Sequence, residues 1–268
     1  VRPSPPPTIG LIPGDSPVPG LALLEHRVAH PRAVVICVHG GLDRGGSFAR
    51  LARRVEDVDL VAYDRRGYRG SRGLAPLTFT HHVQDLATIA RRERSVGPVF
   101  LFGHSFGGLV ALDTAARDPE LVAEVIVYET PLPWILERVS SRPAPTDDPG
   151  HEAEVFFRRV VSDAAWERLS EPERESRRLD GPALLADLAV VRGPAPFDLA
   201  TMSTPIVLIH GDGPLGEHYR ALADKIAVLS PSIQTIEMSH AGHGAHLSRP
   251  APLAALIGRL VDERCASA

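Results

Sequence analysis

Short runs dominated by apolar residues recur along the chain at Ala33 to Val38, Val58 to Tyr63, Val99 to Phe102 and Glu124 to Tyr128. They recur again at Pro205 to His210 and Ser232 to Met238. Runs of this length without alternation predict strands buried on both faces. Between them, helical spacing predicts helices over 46–54, Thr80 to Arg92 with Thr80 as N-cap, Leu109 to Arg117, Leu215 to Ala227 and Pro252 to Glu263. Residues 1–20, rich in Pro and Gly, read as an extended arm or early hairpin, and Gly20 to Ala29 as an early strand. Alternating strands and helices imply an α/β fold with a largely parallel sheet covered on both faces.

From Pro131 to Ser203 the pattern becomes helical and charged, with Pro/Gly breaks at 143–150, 181–182 and 193–196. This stretch is expected to form a helical lid over the strand ends, where ligands of such sheets bind. The expected organisation is a core domain from 1–130 and 205–268, interrupted by a lid at 131–204 after the sixth strand.

Bulk properties narrow the function classes. The chain has 268 residues, enough for one large α/β domain or a core with an insertion. Its net charge of −4, from 29 basic and 33 acidic residues, supplies no strong field for nucleic acid or an anionic membrane. No apolar run approaches bilayer length, and the stretch from Val1 to Pro7 has no signal-peptide core. Cys37 and Cys265 do not make a disulfide framework. The expectation is a cytoplasmic protein acting on a small molecule, with no metal and no organic cofactor.

The chemistry concentrates at Pro98 to Gly108, where a buried strand meets Gly103-His-Ser-Phe-Gly107 and then a helix. This is a G-x-S-x-G pattern in the strand–turn–helix setting of a nucleophile elbow. A turn so tight has no room for side chains at 103 and 107, and it pushes Ser105 out at the sheet's carboxyl edge. A serine hydroxyl is a weak nucleophile and needs a base, an orienter for that base, and donors for the developing oxyanion.

Together with the elbow, His39-Gly40-Gly41, Asp64-Arg-Arg-Gly67 and Gly242-His243 follow one another in an order that resembles the α/β-hydrolase superfamily. The resemblance spans nearly all of the chain outside the predicted lid. It implies Ser105 as nucleophile and His243 as base, preferred over His240 and His246. It implies the backbone amides of Gly41 and Phe106 as oxyanion donors. Three histidines at three-residue spacing could suggest a metal, but no clustered carboxylate or cysteine accompanies them in the sequence.

The acid is the point of departure. Most of the superfamily places it after the seventh strand, where this chain reads His210-Gly-Asp-Gly-Pro-Leu-Gly216. Asp212 lies nearer the strand than the usual acid, and Pro214 holds the usual position. A branch of the superfamily uses an acid after the sixth strand, which here ends in Val127-Tyr-Glu-Thr-Pro131. Glu129 is therefore the preferred acid and Asp212 the alternative. Leu42, His104, Trp134, Phe157 and Trp166 are candidate pocket residues, while His81, His82 and Asp85 read as surface or capping groups. Arg65, Arg66, Arg69 and Arg72 read as a solvated loop with structural ion pairs. The expected activity is hydrolysis of a small to medium ester, thioester or lactone. Carbon–carbon hydrolysis and perhydrolysis on the same triad are alternatives, as is a non-catalytic binding protein on the same scaffold.

Overall fold

Eight strands form one sheet in the order β1-β2-β4-β3-β5-β6-β7-β8. The structure, a computed structural model, describes residues 10–136 and 147–267. The strands are β1 (Ile12–Gly14), β2 (Leu23–His26), β3 (Ala33–Val38), β4 (Val58–Tyr63), β5 (Val99–His104), β6 (Glu124–Tyr128), β7 (Ile206–Gly211) and β8 (Gln234–Met238). β1 and β2 pair antiparallel, as do β2 and β4, and all other pairs are parallel. The early strand expected over Gly20 to Ala29 contains β2, and of the Pro/Gly-rich start Ile12–Gly14 forms β1, which pairs with it, while residues 1–9 lie outside the described part.

Every residue of β3, β4, β5, β6 and β7 is buried, which is why their sequences run apolar instead of alternating. Val34, Ile36 and Val38 belong to the core on one face of the sheet, and Val35 and Cys37 to the core on the other. Each fully buried Val or Ile contributes about 1.5–3 kcal/mol relative to exposure.

The helices are α1 (Ala49–Ala52), α2 (Phe79–Glu93), α3 (Phe106–Arg117), α4 (Pro149–Val160), α5 (Asp163–Glu167), α6 (Glu171–Leu179), α7 (Gly181–Arg192), α8 (Gly216–Leu229), α9 (Ala245–Ser248) and α10 (Pro250–Ala266). The expected helix over 46–54 is instead a 3-10 turn, Gly45–Phe48, followed by the single turn of α1. Its glycines are poor helix formers, and the Gly45 amide is already taken by Asp64 Oδ1 at 2.8 Å. The N-cap of α2 is Thr78, not Thr80, two residues earlier than its sequence suggests.

Between β6 and β7 the described residues contribute α4 to α7. The expected break at 143–150 falls partly outside the described residues. Phe157, Trp166, Ala183, Leu184 and Leu188 of this insertion pack with Leu42 and Tyr68. Those two residues follow β3 and β4, so the insertion sits over the carboxyl edge of the sheet. None of the described helices is long and apolar enough to cross a membrane.

Candidate active site

The elbow forms where β5 turns into α3. Ser105 has φ +52° and ψ −127°, a conformation that costs a non-glycine residue about 1–3 kcal/mol and persists only when its surroundings impose it. Its amide donates to the Tyr128 carbonyl at 2.9 Å, and its carbonyl accepts from the Gly108 amide at 2.9 Å. A Cβ at Gly107 would run into the Val38 carbonyl, and one at Gly40 would lie 2.8 Å from the Ser105 Cβ. Both positions are closed to larger residues by the approach of neighbouring backbone and of Ser105 itself.

Ser105 and His243 line two adjoining cavities of about 350 and 120 Å³. His243 Nδ1 lies 2.7 Å from Glu129 Oε2, and Glu129 Oε1 accepts from the Gly211 amide at 3.1 Å. The Glu129 side chain is only 1% exposed, and its backbone also adopts a positive φ, +45°. The Tyr219 hydroxyl donates to the Glu129 carbonyl at 2.6 Å. Asp212 meets an earlier part of the loop that carries His243: it is exposed, it accepts from the Ala241 amide at 3.1 Å, and backbone donors led by His240 hold its carboxyl below the ordinary range.

Two residues at strand ends fix the loop that carries His243. The Tyr128 hydroxyl donates to the Gly242 carbonyl at 2.9 Å, and His104 Nε2 to the His243 carbonyl at 2.7 Å. Burial, then the neighbouring His246 and His243, hold His104 well below the ordinary histidine pKa. It is a neutral donor, with its buried Nδ1 unpartnered among the described residues.

The loop after β3 is fixed from below. His39 Nε2 accepts the Arg65 amide at 2.9 Å, so its proton is on Nδ1, which donates to the Gly40 carbonyl at 2.7 Å. Burial and the Arg65 charge lower the His39 pKa to about 3. Arg65 Nη2 reaches the same carbonyl at 3.4 Å. The Gly40–Gly41 peptide is trans, so a carbonyl held on one side leaves the Gly41 N–H on the other. Phe106 is the first residue of α3, where an amide has no partner within its own helix.

Of the expected pocket residues, Leu42, His104 and Phe157 line the larger cavity. Trp134 and Trp166 do not. Trp134 packs edge-on to Phe197, at 5.9 Å, against the sheet core, and Trp166 is buried within the insertion beside Phe157. Large rings fill the nearest apolar space, and for both that space is away from Ser105. Phe156, Val160, Val161, Leu215 and Arg177 line the cavity instead.

The arginine loop has the expected ion pairs but not the expected solvation. Arg65 is fully buried and pairs with Asp187 of α7 through Nη2–Oδ2 at 2.5 Å and Nη1–Oδ1 at 3.1 Å, while the Tyr68 hydroxyl donates to Oδ2 at 2.6 Å. Arg66 is also buried and makes two 2.7 Å bonds to Asp85. Neither is solvated, and neither Asp85 nor the buried His82 is a surface group. Arg69 and Arg72 are the more exposed pair of the loop and bond Ser176 and Asp180 of the insertion.

One grouping of metal-ligand type occurs among the described residues. Asp43, His104 and His246 bring ligand atoms within 4.8 Å of one another. Of the three late histidines only His246 belongs to it. The Asp43 carboxylate already accepts from His246 Nε2 and Ser47 Oγ, both at 3.1 Å, while the buried Nδ1 atoms of His104 and His246 have no hydrogen-bond partner among the described residues.

A mostly parallel sheet with a serine elbow at its carboxyl edge and a buried carboxylate–histidine pair beside it defines a class of hydrolase-type scaffolds. The alpha/beta hydrolase family model matches residues 35–256, and the chain belongs to that family. It is 35% identical over 97 residues to Lipase LipV of Mycobacterium tuberculosis, a match covering 36% of this chain and 37% of that protein. It is 31% identical over 105 residues to human Monoglyceride lipase, covering 36% and 34%. These matches therefore span only about a third of the curated relatives. The structure of a lipase-esterase related protein from Clostridium acetobutylicum superposes with a TM-score of 0.67 at 16% identity, covering 90% of this chain and 99% of that one.

Proposed function

We propose that the protein is a serine hydrolase that cleaves a small to medium carboxylic ester through an acyl-enzyme. The observation that carries this reading is the 2.7 Å pair between buried Glu129 and His243, whose ring lines the same cavity as the strained elbow residue Ser105. Glu129 fixes the His243 tautomer with the proton on Nδ1, leaving Nε2 free as the base. His243 takes the Ser105 proton as Oγ adds to the ester carbonyl. The Gly41 and Phe106 amides stabilise the oxyanion, and the intermediate collapses as His243 returns the proton to the departing alcohol. Water then adds to the acyl-enzyme, giving its proton to His243, and the acid leaves as Ser105 regains that proton. Serine at the elbow suits attack on an acyl carbon, and the named lipases and the lipase-esterase structure are consistent with an ester as substrate. Helices α4 to α7 act in this reading as the lid that shields the acyl-enzyme.

The test is hydrolysis of p-nitrophenyl acetate, butyrate and octanoate by the protein and by Ser105→Ala. Turnover is expected to fall by at least about a thousandfold in the variant. Turnover that survives in Ser105→Ala would remove Ser105 as nucleophile.

A further inference from the structure

Among the described residues of the helical insertion, neighbouring arginines are engaged in different ways. Arg158 pairs with Glu154, Asp163 and Glu167, Arg174 with Glu167 and Glu171, and Arg178 with Glu154, Glu171 and Glu175. Arg177, adjacent to Arg178 on α6, lines the larger cavity with Ser105, and no hydrogen bond or ion pair engages its guanidinium among the described residues. The ring of Phe157 lies 5.5 Å from its guanidinium carbon. The pairing of Arg178 raises its pKa, whereas burial lowers that of Arg177; Arg44 and Arg69 add to the lowering, and Asp43 and Asp180 oppose it.

Leu42, Phe156, Phe157, Val160, Val161 and Leu215 make much of the cavity wall apolar. The carboxylate in the lining of this cavity, Asp43, is engaged by His246 and Ser47. A partly desolvated guanidinium over apolar walls is a strong site for a planar anion, because the cost of its desolvation has already been met before the ligand arrives.

We propose that Arg177 is the anion-recognition point of this cavity, and that the ester cleaved at Ser105 carries a carboxylate remote from its scissile carbonyl. The proposal rests on the serine-hydrolase reading for the reaction but not for the binding. The cavity takes the carboxylate against Arg177 and the hydrocarbon between Phe156, Phe157 and Val160.

The experiment compares two acids, each against its own methyl ester, which has nearly the same shape without the charge. 4-Nitrophenyl hydrogen glutarate places the carboxylate on the acyl side, and 4-carboxyphenyl butyrate places it on the alcohol side. At least one acid is expected to be preferred about tenfold in kcat/KM, mostly through KM, the scale of one charge-assisted hydrogen-bonded pair. In Arg177→Gln that ratio is expected to collapse, and in Arg177→Lys to be retained in part, with thermal midpoints showing both variants folded. Absence of any preference, or a preference that survives Arg177→Gln, overturns the proposal, while Ser105-dependent turnover of the neutral esters would leave the hydrolase reading standing. Should no ester be turned over, calorimetry on Ser105→Ala with monomethyl and dimethyl glutarate decides the binding site on its own. A tenfold tighter monoester, lost on adding Arg177→Gln, supports it, and equal affinities overturn it.

Discussion

Glu129 and Asp212 follow adjacent parallel strands, β6 and β7, and both lie against the loop that carries His243. They are held in opposite ways. Glu129 is buried, with one oxygen on the Gly211 amide and the other on the His243 ring. Asp212 is exposed and ties down the amides of the turn two and three residues before His243. Of the two, only Glu129 reaches the His243 ring, and it does so from a position closed to water, where a single charge interaction counts for most. In the proposed mechanism this, and not nearness to the loop, is what makes it the acid. The positive φ of Glu129 fits this: the backbone accepts strain to aim the side chain across β7.

The largest effect should come from Glu129→Gln, which keeps the shape but removes the charge and permits the wrong histidine tautomer. Loss of kcat by roughly a thousand- to ten-thousandfold with little change in KM is expected, measured with p-nitrophenyl butyrate. A loss below tenfold would return the acid's role to Asp212 or to no residue at all.

The same contrast, buried against exposed, recurs between the insertion and the core. Asp187→Asn leaves the fully buried Arg65 facing a neutral amide and should destabilise the fold by about 3–5 kcal/mol in urea unfolding. Glu167→Gln, which breaks the exposed pairs to Arg158 and Arg174, should leave the midpoint where it is. Because Arg65 also bonds the His39 and Gly40 carbonyls, Asp187→Asn should lower kcat as well. Equal midpoints for the two variants would show that the Arg65–Asp187 pair does not anchor the insertion.

A smaller and graded effect is expected from pH. The His39 pKa is about 3 in the fold against an ordinary 6.5, so the unfolded chain binds the proton first. The stability this contributes is complete above pH 6.5 and falls on acidification towards pH 3, by about 1.4 kcal/mol per pH unit for each such histidine. His82 and His104 are shifted the same way. The lowered Asp43 carboxyl has the same sign, but its loss begins near its ordinary value of 3.8. Urea unfolding at pH 7.5, 6.5 and 5.5 should therefore show a slope that is shallower in His39→Asn. Identical slopes would mean that His39 is not held neutral in the fold.

The elbow and its strands were legible in the sequence because tight packing leaves a local imprint, glycines where a Cβ would strike backbone and apolar runs where both sheet faces are covered. Glu129 could be singled out for the same reason, as a carboxylate at the end of a buried run. The arginine loop was legible as a place of ion pairs, but its burial and its partners were not. Arg66 finds Asp85 in the next helix and Arg65 finds Asp187 far along the chain, and nothing local distinguishes a buried pair of that kind from a solvated charge. His39 and Tyr128 carried a weaker signal, polar groups at the ends of buried strands, where they hold the loops that flank Ser105. Trp134 and Trp166 misled because ring size predicts burial and not which cavity is filled.

The smallest effect expected is also the one that tests the opening contrast from its other side. Asp212→Asn keeps a side-chain oxygen that can still accept from the Ala241 amide, so the turn before His243 should survive the loss of charge. Its carboxylate is solvated, and its interaction with the His243 ring is screened by water over the intervening distance. Activity on p-nitrophenyl butyrate should stay within about threefold of the parent, a range set by modest loosening of a surface turn. Asp212→Ala, which removes the acceptor, should cost more than Asp212→Asn, and should do so through the thermal midpoint before it does so through kcat. If Asn and Ala are equally inactive, the charge at Asp212 matters to the reaction, and burial is not what separates the two carboxylates.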